Sequence, residues 1–303
     1  GDNVRIAIRG EHTNAMRLLQ AARKSYAGPA PPPRHFQGLK GFFDLTGRAM
    51  VSIADEIVET VGFFGETLVT IGKQIVNPRL VRPVSIVNVM EKAGLNALPI
   101  VMLLSFFIGM VVAYLGARIL ADFGATVFVV ELVAISMLRE FGVVITAVIL
   151  AGRTNSSFTA EIGAMKMRQE IDAMRVIGIS PMDALVVPRV IAMLLMTPIL
   201  TFAAMMAGMF GGVLVCWGAL DISPAMFLGR FQEVVPAQHF WVGFVKAPAF
   251  ALVLAVIACK QGLSVGGDVG SLGSRVTTSV VQGIFMVILM DAIFALWFLE
   301  MDW

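Results

Sequence analysis

Glu161 to Arg189 reads EIGAMKMRQEIDAMRVIGISPMDALVVPR, a charged stretch set between two long apolar ones. Met167, Ile171, Met174 and Ile177 recur at helical spacing, and Lys166, Arg168, Gln169, Glu170, Asp172 and Arg175 fill the other faces. Gly178 stands where a helix C′ residue belongs and Pro181 follows it, so the helix is expected to stop there. A short amphipathic helix held between two spans suits the docking of a soluble partner. The pattern alone describes a solvated loop helix equally well.

The flanking stretches set the class. The chain is 57% hydrophobic and only 15% charged, with a mean hydropathy of +0.83, which is the composition of a polytopic membrane protein. About 20 apolar residues cross a bilayer, and five segments qualify. They are Ala93 to Ala117, about Val133 to Arg153, Val190 to Leu220, about Phe240 to Cys259, and Val276 to Leu299. A separate span at Phe123 to Leu138 would leave no loop before Phe141, so six spans are rejected. At 1.5 Å per residue the third span is roughly 46 Å long, so it must tilt or protrude.

Charge orients the spans. With the N-terminus in the cytoplasm, 19 Lys and Arg lie inside and only Arg118 and Arg230 outside, as the positive-inside rule requires. Trp217, Trp241, Trp297 and Trp303 then fall at the outer boundary, and the 161–189 stretch lies in the cytoplasm. In the third span Ala203, Ala207 and Gly211 form one small-residue ladder and Ala204, Gly208 and Gly212 another. Such ladders let helix backbones approach, either inside the bundle or across a dimer seam.

The region before the spans is different material. Residues 1–40 read as the tail of a soluble domain plus a linker: Gly1 to Gly10 alternates like a strand, Asn14 to Lys24 reads as a helix, and Ala27 to Pro33 is proline-rich. A disordered basic tail is the competing reading. Residues 41–92 read as interfacial amphipathic helices. In Val51 to Val76, Ala54, Ile57, Val61, Phe64, Leu68, Ile71 and Ile75 form one face, while Asp55, Glu56, Glu59, Glu66 and Lys73 are too frequent for a span. Residues 93–303 form the five-span domain.

Little else carries chemistry. There is no G-x-x-x-x-G-K-[ST] phosphate loop; Gly266 to Gly273 lacks the lysine and reads as a turn between the last two spans. No G-x-S-x-G or H-E-x-x-H motif occurs. Cys216 and Cys259 sit in apolar segments far from His12, His35 and His239, so neither a metal site nor a disulfide is expected. The net charge of +2 does not suggest nucleic acid. Four charges do lie inside spans, namely Arg139, Glu140, Lys246 and Asp291, and they sum to zero. Lys246 and Asp291 lie at similar depth on neighbouring antiparallel spans and are expected to pair, with Arg139 and Glu140 within reach. They can neutralise one another to fix the packing, or line a gate or headgroup path.

The 151–189 region also resembles the coupling region of MlaE-type permeases, the membrane subunits of lipid-transporting ABC systems. The resemblance rests on Ala151-Gly152-Arg153, Ser156, Ala160-Glu161, Gly163, Met165, Glu170-Ile171-Asp172-Ala173, Gly178, Pro181 and Leu185 to Arg189. Gln169 replaces an acid of that pattern, Thr154-Asn155 replace small residues, and Val143 stands where a proline is expected. Residues 1–24 are weakly similar to the end of a STAS-like domain. The resemblance implies an all-α fold and a homodimer with no cofactor of its own. It implies a cytoplasmic ABC ATPase carrying ATP and Mg, a periplasmic Mce-type lipid-binding protein, and a bacterial inner-membrane location. It further implies that Glu161, Lys166, Glu170, Asp172, Arg175 and Gly178 couple to the ATPase. With helix depth added, it nominates Leu103, Phe107, Phe285 and Leu289 for an apolar substrate cavity in the dimer. The competing classes are a secondary transporter using the four intramembrane charges as a proton relay, and a membrane scaffold without transport.

Overall fold

The computed structural model describes residues 39–78 and 81–301; the readings for residues 1–38 and for Trp303 lie outside them. The chain divides into two compact units at Glu56/Ile57. Helix α1, Leu39–Val76, includes all that is described of the first unit, and everything below concerns the second.

The described part is helical, and five helices are long and apolar enough to cross a membrane. Span one, Pro83–Ala121, comprises α2 (Pro83–Val89), a π-turn at Met90–Gly94, a 3-10 turn at Leu95–Ala97, and α3 (Leu98–Ala121). Span two, Thr126–Met167, holds α4 (Val129–Ser136), a second π-turn at Met137–Phe141, and α5 (Gly142–Met167). Helix α6 is Glu170–Val176. Span three, Met182–Leu220, opens with a π-turn and continues as α7 (Val187–Leu220). Helix α8 is Pro224–Val234, capped by the Ser223 hydroxyl accepting from the Met226 amide. Spans four and five are α9 (Gln238–Leu263) and α10 (Val269–Glu300).

Phe123 to Leu138, rejected as a separate span, is continuous from Thr126 onward with the helix that follows it. Span one starts ten residues earlier than its apolar run, because Glu91 and Lys92 interrupt the hydrophobicity but not the helix. Span three likewise extends back to Met182; at 39 residues it is about 58 Å long, so its ends must stand clear of a hydrocarbon core of about 30 Å unless it tilts.

Span four is the centre of the bundle. The most apolar window of its helix is 67% buried, against 22% for span one and 17% for span five. It packs on spans two, three and five, while span one lies mainly on span three and span five on spans two and four. Both small-residue ladders of span three face inward. A Cβ at Gly109 of span one would collide with the Gly208 carbonyl, one at Gly211 with the Phe106 carbonyl, and one at Gly212 with the Val133 side chain. Backbone contact of this kind replaces the hydrophobic effect as the cement between helices in lipid.

Two polar contacts fasten α1 across one end of the bundle. Lys260 at the end of span four donates to Thr60 (2.7 Å) and lies 3.7 Å from Glu59, and Gln74 donates to Asp183 at the foot of span three (2.9 Å). Thr60 and Gln74 are 14 residues, or about 21 Å, apart along the helix. This part of α1 therefore crosses the feet of spans four and three instead of running alongside them.

Candidate functional site

Inside the bundle, Arg139, Glu140, Lys246 and Asp291 meet. The π-turn at Met137–Phe141 carries Arg139 and Glu140, span four brings Lys246, and span five brings Asp291. The Lys246 side chain has no exposure. Its ammonium donates to the Glu140 carboxylate, to Asp291 Oδ1 at 2.9 Å and to the Arg139 carbonyl at 3.5 Å. An ammonium has three hydrogens, and each finds an acceptor. That carbonyl belongs to the π-turn itself. Arg139 Nε lies 3.7 Å from Glu140 Oε1. The Glu140 and Asp291 side chains stay 33% and 24% exposed, so the cluster has one wet or lipid-facing flank while its lysine is sealed. A cluster of zero net charge around a fully bonded ammonium ties spans two, four and five together and offsets the cost of burying each charge.

At the bundle end crossed by α1, the single helix expected from Glu161 to Ile177 is two helices. Gln169 takes a left-handed conformation (φ 60) and separates α5 from α6. Glu161 and Lys166 thus stand on the span-two helix and are engaged within the chain. Glu161 receives Arg189 at 2.9 Å, and Lys166 donates to the Leu263 carbonyl. Glu170, Asp172 and Arg175 stand on α6 with only local partners, Arg168 at 3.8 Å from Glu170 and Arg175 at 3.3 Å from Asp172. Gly178 (φ 81) closes α6: its amide bonds to Arg175 and the Ile179 amide to Met174, the paired hydrogen bonds of a Schellman end. Ile171 is buried and Met174 packs on the main core. Ile177 departs from its expected place on that apolar seat; it is 71% exposed, and Val176 is 86% exposed.

Leu103, Phe107, Phe285 and Leu289 are all exposed. Spans one and five flank the bundle on different neighbours, so one chain does not gather the four residues into a single cavity. Leu103 lines an open apolar groove of about 500 Å3 between spans one and three, with Pro99, Met102, Phe106, Met206 and Phe210.

Several pairs had no legible signal in the sequence. At the far end, Glu131 of α4 bonds Arg230 of α8, whose guanidinium lies 5.2 Å from the Phe128 ring centre. At the α6 end, Arg189 also donates to the Leu185 carbonyl and stacks 5.4 Å from the Phe158 ring centre. Cys216 and Cys259 are buried free thiols, and no metal-holding group of three His, Cys, Asp or Glu occurs among the described residues.

A model of the family described as permease MlaE matches residues 86–297, which takes in the crossover at α6 and nearly all of the five spans. The chain belongs to the MlaE permease family. It is similar to a probable ABC transporter permease protein of Synechocystis, slr1045, with 35% identity over 65% of this chain and 75% of that one. It is also similar to the intermembrane phospholipid transport system permease protein MlaE of Haemophilus influenzae, with 33% identity over 69% and 80%. A chloroplastic Arabidopsis protein, TRIGALACTOSYLDIACYLGLYCEROL 1, is 28% identical over 70% of this chain and 60% of its own length. As a member of the MlaE permease family, the chain is the membrane-spanning, non-catalytic component of an ABC transporter.

Proposed function

We propose that this MlaE-family permease moves phospholipid, or an amphiphile of similar shape, between a bacterial cytoplasmic membrane and a periplasmic carrier of the Mce type. The observation that carries the reading is the extent of the family match, which runs from the foot of span one to the end of span five. The relative from Haemophilus influenzae is by name a phospholipid transport permease. The geometry agrees with a lipid path. Spans one and five present wide uncharged faces, and two copies of the chain would bring Leu103, Phe107, Phe285 and Leu289 around a shared apolar cavity. The four intramembrane charges form one cluster and are not strung along the bundle as a proton relay would need, which disfavours a secondary transporter.

The engine is a separate ATPase, with its ATP and Mg, seated on α6. The positive-inside bias puts this end and the N-terminus in the cytoplasm. There α6 offers Glu170, Asp172 and Arg175 beside exposed Val176 and Ile177, an apolar tip rimmed by charge. Mild-detergent purification followed by lipid mass spectrometry tests the reading. Phospholipid enriched above the bulk membrane, together with a co-purifying ATPase, is the expected result. A chain that brings down no ATPase and no enriched phospholipid contradicts it.

A further inference from the structure

A small cavity of about 140 Å3 lies between the foot of span one and the α6-side third of span two. Its polar lining is Lys92, Arg153, Thr154, Ser157 and Glu161, with Phe158 as one wall. Arg153 Nη1 is shut off from solvent and has no hydrogen-bond partner among the described residues. A guanidinium nitrogen buried without an acceptor is costly, and the missing partner is most simply an anion. Glu161 does not supply it, because Glu161 is bonded to Arg189. Counting Arg189 with the lining groups, two positive charges remain unmatched. The wall on span one is the Met90–Gly94 π-turn, whose Ala93 carbonyl accepts from Thr154 at 3.5 Å. Such turns recur at ligand sites because they reposition backbone groups.

The depth of the two cations selects the source of the anion. Lys92 immediately precedes the uncharged run of span one, and Arg153 ends the uncharged run that began at Phe141 in span two. Both stand where the apolar part of the bundle gives way to its polar end, the level of headgroup phosphates. Basic pockets between spans on the cytoplasmic side hold anionic headgroups in this way.

We propose that this cavity binds the phosphate of one anionic phospholipid in the cytoplasmic leaflet, at a site apart from any dimer cavity near Leu103 and Phe285. The lipid phosphate accepts from Arg153 and Lys92, with the Ser157 hydroxyl at the rim. The inference rests on the proposed orientation and not on lipid transport.

Native mass spectrometry of the delipidated full chain in detergent tests it, with three probes: phosphatidylglycerol, diacylglycerol with the same acyl chains, and inorganic phosphate. The account expects wild type to retain one more phosphatidylglycerol per chain than Ser157→Leu, which fills the cavity from its exposed rim. Lys92→Gln and Arg153→Gln should each weaken that site by about fivefold. Diacylglycerol should not fill it, and inorganic phosphate should not displace the lipid. Equal occupancy by diacylglycerol, or displacement of the lipid by inorganic phosphate, would overturn the headgroup assignment. Unchanged affinity in both Ser157→Leu and Lys92→Gln would overturn the site, even if Arg153→Gln fails to fold. No ATPase or carrier is present, so failure here leaves the transport reading standing.

Discussion

Lys246 is the residue on which most depends, because two carboxylates and a carbonyl share one ammonium. That arrangement ranks the variants. Asp291→Asn leaves Lys246 paired with Glu140, so its effect should be mild. Lys246→Met leaves Glu140 and Asp291 facing each other with only Arg139 near, and should cost about 3 kcal/mol, the scale for removing one partner of a buried pair. Lys246→Met with Asp291→Leu should recover much of that loss, since Glu140 then keeps Arg139 as its neighbour. Thermal unfolding in detergent and membrane abundance give the ranking; Asp291→Asn proving as damaging as Lys246→Met would refute it. The Lys246–Asp291 pair was legible from depth on two adjacent antiparallel spans. The π-turn that brings Glu140 and the Arg139 carbonyl to the same ammonium was not, because a one-residue register shift inside a helix leaves no mark in composition. The break at Gln169 was hidden for a similar reason, since glutamine is not a residue that announces a left-handed turn.

Among the elements, the contact between spans one and three is the most sensitive, because carbonyls and not flexible side chains occupy the space beside Gly109 and Gly211. Gly109→Val should therefore destabilise the bundle by about 1–3 kcal/mol, the usual scale for overpacking. Gly218→Ala in the same span three, where nothing lies within 4 Å of the added carbon, should be close to neutral. Comparing the two by unfolding midpoint checks the packing; equal midpoints would contradict it. Helix α6 makes the opposite prediction. Its charges pair only locally, so Glu170→Lys with Asp172→Lys should leave the midpoint nearly unchanged while the ATPase no longer co-purifies. Retention of the ATPase by that double variant would remove α6 from the docking surface. Span number was readable because apolar runs near bilayer length, uncharged in spans one and three and broken by only one or two charges in the others, are rare. Helix starts were less so: the first and third spans begin at Pro83 and Met182, well before their apolar runs, since Lys92, Glu91, Asp183 and Arg189 mask helix continuity without breaking it.

At the scale of the whole molecule, a central span four carries the buried charge cluster, poorly buried spans one and five form the flanks, and α6 stands at one end. In the proposed dimer, the faces left bare on spans one and five meet the second copy and the lipid. Cysteines at Leu103 and Phe285 in an otherwise cysteine-free chain should give disulfide-linked dimers in membranes, whereas Gly218→Cys, at the far end of span three, should not. The family pattern in residues 151–189 made the kind of machine legible, because many positions agree at fixed spacing. Which charges of that stretch are engaged within the chain was not, because Glu161 and Lys166 share the charge pattern of α6 yet bond Arg189 and the Leu263 carbonyl. The central claim is ATP-driven lipid movement by a dimer of this chain. It is tested most directly by reconstituting the chain with its ATPase in liposomes and following transfer of a fluorescent phospholipid to or from the periplasmic carrier. The account predicts transfer that requires ATP, is lost in Glu170→Lys/Asp172→Lys, and is indifferent to a proton gradient. Transfer that proceeds without ATP and collapses when the proton gradient is dissipated would contradict it.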